Sequence, residues 1–202
     1  MDLRETYNRI AEDWHKDHKQ NNWWVEATNK FVSFLKPNDL VLDAGCGAGT
    51  KSKYLISKKL KVIGIDFSDK LIEIAKREAP SGNFFVMNIS EADKLKEKFD
   101  GIFMQAVLLH IPKKDVAKIV NKLLGSLKSG GYLYIAVKEK KIGGADEEIK
   151  IENDYGYPYE RFFSYFTLGE IKNLIKETGL EISYENVAPF EHERWIQVIG
   201  KK

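Results

Sequence analysis

The sequence predicts an α/β fold in which helices cover both faces of a mostly parallel β-sheet. Short apolar runs alternate with helical stretches along most of the chain, at 40–44, 61–65, 84–87, 101–106 and 132–137. Such alternation builds βαβ units with right-handed crossovers, which place the strands parallel in one sheet. Two later runs, at 180–187 and 194–200, lie close together in the sequence. A hairpin is the simplest connection between them, so the last strand is expected to be antiparallel.

Two helices are predicted before the first strand. Apolar and aromatic residues recur at helical spacing within 3–18, and a second helix is expected over about 24–35. Pro37 follows this helix and turns the chain toward the first strand. Because both helices precede the alternating core, they are candidates for a lid.

The chain has a suitable length for one domain, predicted to span 1–202. Within it, 1–36 are expected to form the helical lid and 37–202 the ligand-binding core. The segment 138–166 interrupts the alternating pattern, because it is charged and then rich in tyrosine. Its first part, 138–160, is expected to be a long loop over the sheet edge, and such loops are often functional.

Local signals indicate where several helices begin and end. Ser68 is a predicted N-cap, Pro112 suits the first turn of a helix, and Thr167–Glu170 has the form of a capping box. The helix that follows Pro112 is expected to end at Gly130 or Gly131.

Composition and charge argue against several classes of protein. The formal net charge is only +2, with 32 basic and 30 acidic residues interspersed, which disfavours a dedicated nucleic-acid binder. Cys46 is the only cysteine, so an internal disulfide is excluded, as suits a reducing compartment. No apolar run approaches the ~20 residues of a membrane span, and the charged N-terminus lacks a signal-peptide core. We therefore expect a cytoplasmic protein with no membrane partner.

The most informative motif follows the first strand, which ends in Asp43 and leads into alternating glycines at Gly45, Gly47 and Gly49. Glycine allows a sharp turn and lets a ligand lie against bare backbone. Asp66 ends the next apolar run, about 20 residues after the turn, where an acidic side chain typically accepts hydrogen bonds from ribose hydroxyls. The glycine spacing departs from G-x-G-x-x-G, and two carboxylates disfavour a pyrophosphate. The pattern favours a cationic nucleoside instead.

Further motifs follow in order. Gly-Ile-Asp-Phe-Ser lies at 64–68, Phe-Asp-Gly-Ile-Phe at 99–103, Val-Leu-Leu-His-Ile at 107–111 and Leu-Lys-Ser-Gly-Gly-Tyr-Leu at 127–133. Together with the glycine turn, this set resembles the class I S-adenosylmethionine (SAM)-dependent methyltransferases, over about residues 1–202. The resemblance implies a Rossmann-like three-layer sandwich with a seven-stranded sheet, SAM as cofactor and S-adenosylhomocysteine (SAH) as product.

The resemblance also implies a cofactor site, formed by Tyr7, Asp43, Gly45, Cys46, Gly47, Gly49, Asp66, Phe67, Asn88, Ile89 and Gln105. In the family's arrangement, Asp43 lies below the amino group of the cofactor, Asp66 holds the ribose, and Tyr7 approaches the carboxylate. Asn88 stands where the family commonly has Asp, and its amide oxygen retains an acceptor for the adenine amino group. Phe67 packs either on the adenine or in the core.

The acceptor site is less clearly marked by motifs. His110 follows the fourth strand, at the edge where parallel sheets bind ligands, and is a candidate general base, substrate donor or structural histidine. Trp23, Arg161 and Tyr165 are the candidate acceptor-binding residues, with 138–166 as a substrate-side insertion. The other histidines have no metal-like spacing, so no metal is expected.

Methyl transfer from a sulfonium mainly requires alignment of donor and acceptor, and a base only where the acceptor holds a proton at neutral pH. The expected function is SAM-dependent methylation of a small molecule. One alternative is methylation of an RNA base, since 160–166 loosely resembles part of tRNA wobble-uridine methyltransferases. Another is a non-catalytic SAM-binding module that acts through a partner. The glycine spacing disfavours a nicotinamide oxidoreductase.

Overall fold

A seven-stranded sheet forms the centre of the structure, a computed structural model that describes residues 2–202. The strands are β1 (Leu40–Ala44), β2 (Lys61–Asp66), β3 (Asn83–Val86), β4 (Phe99–Gln105), β5 (Leu127–Lys138), β6 (Glu147–Glu152), β7 (Tyr159–Ser164), β8 (Glu181–Phe190) and β9 (Glu193–Lys201). The α-helices are α1 (Leu3–His18), α2 (Val25–Ser33), α3 (Thr50–Ser57), α4 (Asp69–Glu78), α5 (Lys113–Leu124) and α6 (Leu168–Glu177). β6 and β7 form a separate hairpin, and the other strands belong to the central sheet.

The strand order in the central sheet is β3-β2-β1-β4-β5-β9-β8. Strands β1 to β5 are parallel to one another, whereas β9 is antiparallel to both β5 and β8. The order changes direction between β1 and β4, so a crevice opens at the carboxyl ends of these strands. The predicted α/β sandwich, with a mostly parallel seven-stranded sheet and an antiparallel last strand, is confirmed.

The sheet buries apolar side chains on both faces. Val41 of β1 packs in a layer with Phe31 of α2 and Leu55 of α3. The next residue, Leu42, belongs to the opposite layer, which also contains Val120 of α5. This alternation follows from the two-residue period of a strand, and it determines which strand-end residues can face a ligand.

Both helices predicted before the first strand are present, as α1 and α2. Asp2 caps α1 by accepting a hydrogen bond from the Arg4 backbone N–H at 2.9 Å. α1 packs on α4, where Asn8 donates to Asp69 at 2.7 Å and accepts from the Ser68 hydroxyl at 2.6 Å. α1 is therefore attached to the helix that follows β2.

The prediction of a long loop over 138–160 is wrong, because this segment contains part of a β-hairpin. β6 pairs antiparallel with β7 along its full length. Ile149 and Ile151 of β6 are exposed, so the alternating apolar residues lie on the outer face of the hairpin and form no buried run. Because the segment has no buried apolar run and is rich in charged residues, its sequence pattern indicates a loop and not a strand.

The predicted end of α5 is also wrong. The helix stops at Leu124, and Leu127 already belongs to β5, where it pairs with Phe99. Gly130 and Gly131 therefore lie within a strand. Leu127 continues the apolar spacing of the helix, so periodicity alone does not separate two elements that are joined by a short turn.

The other helix signals are close to their predicted positions. Ser68 caps α4, and Thr167–Glu170 forms the capping box of α6. Pro112 is the residue before α5, where it precedes the first turn by one position.

Across residues 2–202, none of the helices has the length and apolar composition needed to cross a membrane. Within the same residues, no cluster of three or more His, Cys, Asp or Glu side chains is arranged to hold a metal ion.

Candidate functional site

A large cavity of about 1250 Å³ opens at the carboxyl ends of β1, β2 and β4. Its wall includes the turn after β1, the end of β2 and the segment after β4, as expected for a ligand site in an open parallel sheet. Residues of α1 and of the β6–β7 hairpin complete the wall. Typical small-molecule sites have volumes of about 300–1,000 Å³, so this cavity has room for a cofactor and an acceptor together.

Most of the predicted site residues lie in this wall. They are Tyr7, Trp23, Asp43, Gly45, Cys46, Gly47, Asp66, Phe67, Asn88, Ile89, Gln105, His110 and Arg161. Gly49 and Tyr165 lie outside it. Gly49 precedes α3 with φ 78°, and a Cβ there would come within 2.9 Å of Ala75, so this glycine allows α3 to approach α4. The Tyr165 hydroxyl donates to Glu148 at 2.7 Å, in a smaller pocket.

The glycines of the turn let other parts of the protein approach closely. A Cβ on Gly45 would lie 2.5 Å from Val107, so that glycine is required for contact between two protein segments. A Cβ on Gly47 would meet only Trp14 of α1, at 3.4 Å. The φ angle of Gly47 is 53°, which glycine adopts without strain. Gly47 therefore lets the Trp14 ring lie directly over the turn, and both residues line the cavity.

Two buried carboxylates flank the turn. Asp66, at the end of β2, accepts hydrogen bonds from the Gly47 N–H at 3.0 Å and the Ser68 N–H at 2.9 Å. Asp43 of β1 accepts from the Ser52 hydroxyl at 2.6 Å. Burial raises the pKa of each carboxyl to about 6, although these hydrogen bonds act in the opposite direction. A cationic ligand would stabilise the charged form of both.

Lys51 is a cavity residue that the sequence analysis missed. It lies in the first turn of α3, where burial lowers its pKa to about 8 and the charge of Asp43 acts in the opposite direction. Within residues 2–202, no carboxylate oxygen lies within 4.0 Å of its ammonium group. The available signal was its place directly after the glycine turn, where a strand-turn-helix unit presents its residues to a ligand.

His110 holds Tyr7 in place through its two ring nitrogens. Nδ1 lies 2.7 Å from the Phe162 carbonyl oxygen, which can only accept, so Nδ1 carries the proton. Nε2 therefore accepts from the Tyr7 hydroxyl at 2.7 Å. Burial lowers the pKa of His110 to about 3, so the ring stays neutral near pH 7. To act as a base toward a substrate, His110 must first release Tyr7.

Arg161 of β7 extends this set of contacts to the hairpin. Its guanidinium forms two hydrogen bonds with the Glu152 carboxylate, at 2.6 and 2.7 Å, and a longer one with the Tyr7 hydroxyl at 3.3 Å. Burial raises the pKa of Tyr7, so its hydroxyl keeps the proton that it donates to His110. Arg161 thus has a carboxylate partner already, and it connects the hairpin to α1.

The remaining predicted cofactor residues differ in their contacts. Asn88 follows β3, and its amide oxygen accepts from the N–H and hydroxyl of Ser90 at 2.9 and 2.8 Å, which caps the next helical turn. Phe67 lies edge-on to Tyr7, with ring centroids 5.9 Å apart. Gln105 is buried at the end of β4, and its Nε2 has no hydrogen-bond partner in the described part of the chain.

The cavity wall is aromatic on the β5 and β9 side. Trp23 stacks on Trp195 of β9, with ring centroids 4.0 Å apart. Lys138 of β5 and Glu193 of β9 also line this part, with 3.6 Å between Nζ and Oε1. The sequence analysis found Trp23 and missed the other three. In the sequence, Lys138 was marked only by its place at the carboxyl end of β5. Glu193 and Trp195 were marked only by their place near the start of β9, which pairs with β5.

The fold and the cavity together define a class of protein. A parallel sheet with an antiparallel β9, a glycine turn after β1 and acidic residues on β1 and β2 is the arrangement of class I SAM-dependent methyltransferases. The methyltransferase domain family matches residues 10–185 of the chain. The chain belongs to this family, so the recognition from its motifs is confirmed.

Individual relatives agree with this assignment. A ubiquinone biosynthesis O-methyltransferase of Hydrogenovibrio crunogenus is 26% identical over 142 residues, which cover 64% of this chain and 57% of that protein. The chain spans about half the length of the curated relatives it matches. A solved SAM-dependent methyltransferase of Methanosarcina mazei is 25% identical with a TM-score of 0.72, covering 84% of this chain and 95% of that one. The magnesium protoporphyrin IX methyltransferase of Synechocystis, solved with SAH, shares the fold at 19% identity, with a TM-score of 0.76 and coverage of 99% and 97%.

We expect Asp43 and Asp66 to make the ligand-free protein less stable as the pH rises from about 4 to about 6. The folded pKa of each carboxyl lies above the unfolded value, so in this window the folded state binds more protons. Each carboxyl lowers the free energy of unfolding by up to about 3 kcal/mol once it is ionised in both the folded and the unfolded state. In urea unfolding from pH 4 to pH 7, the free energy of unfolding of Asp43→Asn should fall less than that of the wild type. Parallel plots of this free energy against pH for the two proteins would contradict the assignment.

The control for this measurement is Asp100→Asn. Although burial opposes the effect, Lys128 lowers the pKa of Asp100, so this carboxyl stabilises the folded state as the pH rises. The difference in free energy of unfolding between wild type and Asp100→Asn should therefore change with pH in the direction opposite to that for Asp43→Asn.

Tyr7→Phe should destabilise the protein by about 1–3 kcal/mol, because His110 Nε2 is left without a donor in a buried position. Tyr157→Phe is the matched control, since the Tyr157 hydroxyl lies 3.3 Å from Asp13 in a more exposed place. Its loss should cost about 0.5 kcal/mol or less. Denaturant unfolding compares the two variants, and equal losses would show that the contact between Tyr7 and His110 does not stabilise the fold.

Proposed function

We propose that this chain transfers the methyl group of SAM to a small-molecule acceptor. The observation that carries the proposal is the pair of buried carboxylates, Asp43 and Asp66, beside a glycine turn in a cavity with room for two ligands. Membership of the methyltransferase domain family supports the same reaction. The relatives described above are named for ubiquinone biosynthesis and magnesium protoporphyrin IX, which favours a small molecule over an RNA base.

The residues of the cavity fit the chemical groups of SAM. Gly47 and the Trp14 ring that lies over it form one part of the wall beside the ligand. The amino-acid tail of SAM carries an ammonium and a carboxylate, which we assign to Asp43 and Lys51, two groups of opposite charge on one wall. Asp66 is assigned to the ribose hydroxyls, and Asn88, with its neighbour Ile89, to the adenine.

The protein's part in the reaction is positioning and exclusion of water. When bound, SAM supplies a methyl group on a positively charged sulfur that leaves readily as a thioether. The chain's residues must then hold the acceptor in line with that methyl group and keep water out. In this proposal α1 is the cover, because Trp14 lies above Gly47 and Tyr7 is fixed by His110. His110 is thus assigned to positioning Tyr7.

The proposal divides the chain into a cover, a cofactor side and an acceptor side. Residues 1–36 act as the lid and 37–202 as the SAM-binding core. The hairpin within 138–166 forms the acceptor side together with Trp23, and Arg161 joins it to the lid.

The wild-type chain should bind SAH in calorimetric titration and should not bind NAD. Gly47→Val should abolish SAH binding, because the added methyl groups would collide with Trp14 and displace it from the cavity wall. Gly143→Val is the control, since Gly143 also has a positive φ, 71°, but lies in open space away from the cavity. It carries the same backbone strain and should leave SAH affinity unchanged. Tight NAD binding without SAH binding would overturn the proposal.

Lys51→Met should weaken SAH binding about tenfold or more, because a charge-assisted hydrogen bond contributes about 1.5–3 kcal/mol. Binding of 5′-methylthioadenosine, which lacks the amino-acid tail, should stay unchanged. Lys53→Met is the matched control, since Lys53 is exposed on the same helix and pairs with Glu78. An equal loss of affinity for both ligands would show that Lys51 acts on the cofactor site as a whole and not on the carboxylate.

A further inference from the structure

The acceptor side of the cavity is an aromatic chamber formed by Trp23, Phe163, Phe190 and Trp195. Trp23 stacks on Trp195 with 4.0 Å between the ring centroids, and its centroid lies 6.1 Å from that of Phe190. Flat rings give large contact area at low entropic cost and favour stacking with other conjugated rings. The chemistry of the chamber therefore favours a planar ligand.

Polar atoms without partners occur at the same place. In the described part of the chain, four buried side-chain atoms lack a hydrogen-bond partner: His15 Nδ1, Gln105 Nε2, Glu193 Oε2 and Trp195 Nε1. All but His15 belong to residues of the cavity wall, and Glu193 also borders a smaller pocket, where Lys141 Nζ lies 3.7 Å from its Oε2. Trp195 is only 7% exposed, so water gives its N–H little compensation. Buried polar groups are nearly always satisfied, and these atoms therefore indicate groups supplied by a ligand.

Lys138 adds a further polar group to the chamber. Its side chain is 18% exposed, and its ammonium makes no hydrogen bond within residues 2–202, because Glu193 Oε1 is 3.6 Å away. β5 and β9 pair Lys138 directly with Trp195, and Glu193 lies two residues before Trp195 on the same strand face. Two donors and one acceptor thus lie together at one end of the chamber.

The cations beside the rings of the chamber disfavour an amine there, although Lys138 lies near Glu193 and Arg161 is paired with Glu152. Aromatic walls often bind cations, but here the protein supplies them. The Lys138 Nζ lies 4.9 Å from the centre of the Phe163 ring and 5.8 Å from that of Trp195. The Arg161 guanidinium lies 5.1 Å from Phe163. A further cation at these rings would be repelled.

We infer that the acceptor is a planar conjugated ring that carries an oxygen acceptor next to an N–H or O–H donor. The oxygen accepts from Trp195 Nε1 and Lys138, and the donor is held by the Glu193 carboxylate. The inference rests on the proposed methyl transfer, because it assigns the chamber to the acceptor. It distinguishes ring compounds of this kind from aliphatic amines.

The test uses quinolin-2-one as the probe, since its ring carbonyl adjoins an N–H. Calorimetric titration of the full chain is done with and without saturating SAH. Wild type should bind quinolin-2-one, bind 1-methylquinolin-2-one about tenfold or more weakly because the donor is blocked, and not bind choline. Trp195→Phe keeps an aromatic ring but removes the N–H, and Lys138→Met keeps the length but removes the charge. Each of these two substitutions should weaken the binding of quinolin-2-one about tenfold and leave the affinity for SAH unchanged.

Lys172→Met is the control for the variants, because Lys172 lies on α6 outside the cavity wall and pairs with Glu185. It should leave both affinities unchanged. The inference would be overturned if the chain bound choline, if it bound the two quinolinones equally, or if Trp195→Phe and Lys138→Met kept full affinity for the probe. In each of these cases, SAH binding by the same chain would leave the proposed function intact. If SAH does not bind, the proposed function fails, and probe binding to the free chain still decides what the chamber accepts.

Discussion

The hydrogen bond from Gly47 N–H to the Asp66 carboxylate is the contact on which the candidate site depends. It joins the turn after β1 to the end of β2, and the same carboxylate accepts from Ser68 N–H at the start of α4. One buried side chain therefore sets the shape of the turn and the direction of the next helix. The cost is a buried acidic group whose pKa is raised, and a cationic ligand offsets that cost because it favours the ionised form. The site is thus held in a binding-ready shape by a group that is itself stabilised by binding.

The cover of the cavity is attached to the core by polar contacts as well as by packing. Tyr7 of α1 is held by His110 from the segment after β4 and by Arg161 from the hairpin. Arg161 is in turn fixed by two hydrogen bonds to Glu152. Because His110 is neutral and accepts at Nε2, the geometry of these contacts does not change with protonation near pH 7. The arrangement therefore favours a position of α1 that does not change with pH in this range.

The sequence predicted the central sheet well because its signals are local, and the predicted cofactor residues stay a proposal. Asp43, Gly47 and Asp66 lie at strand ends and in one turn, where the backbone itself determines their positions. The β6–β7 hairpin was missed because Ile149 and Ile151 are exposed and so give no buried pattern. The end of α5 was misplaced for the opposite reason, since an apolar residue of β5 continued the helical spacing.

The acceptor side could not be predicted from local pattern because its residues come from distant segments. Trp23 precedes α2, Lys138 ends β5, and Trp195 lies near the start of β9, so only the antiparallel pairing of β5 with β9 brings the last two together. A sequence can place each residue in a strand without indicating that three of them share one cavity. Phe163 of this chamber and Arg161 lie on one strand of the hairpin, and Arg161 also contacts the lid through Tyr7. β7 therefore contacts both the aromatic chamber and α1, and it joins these two parts of the cavity wall.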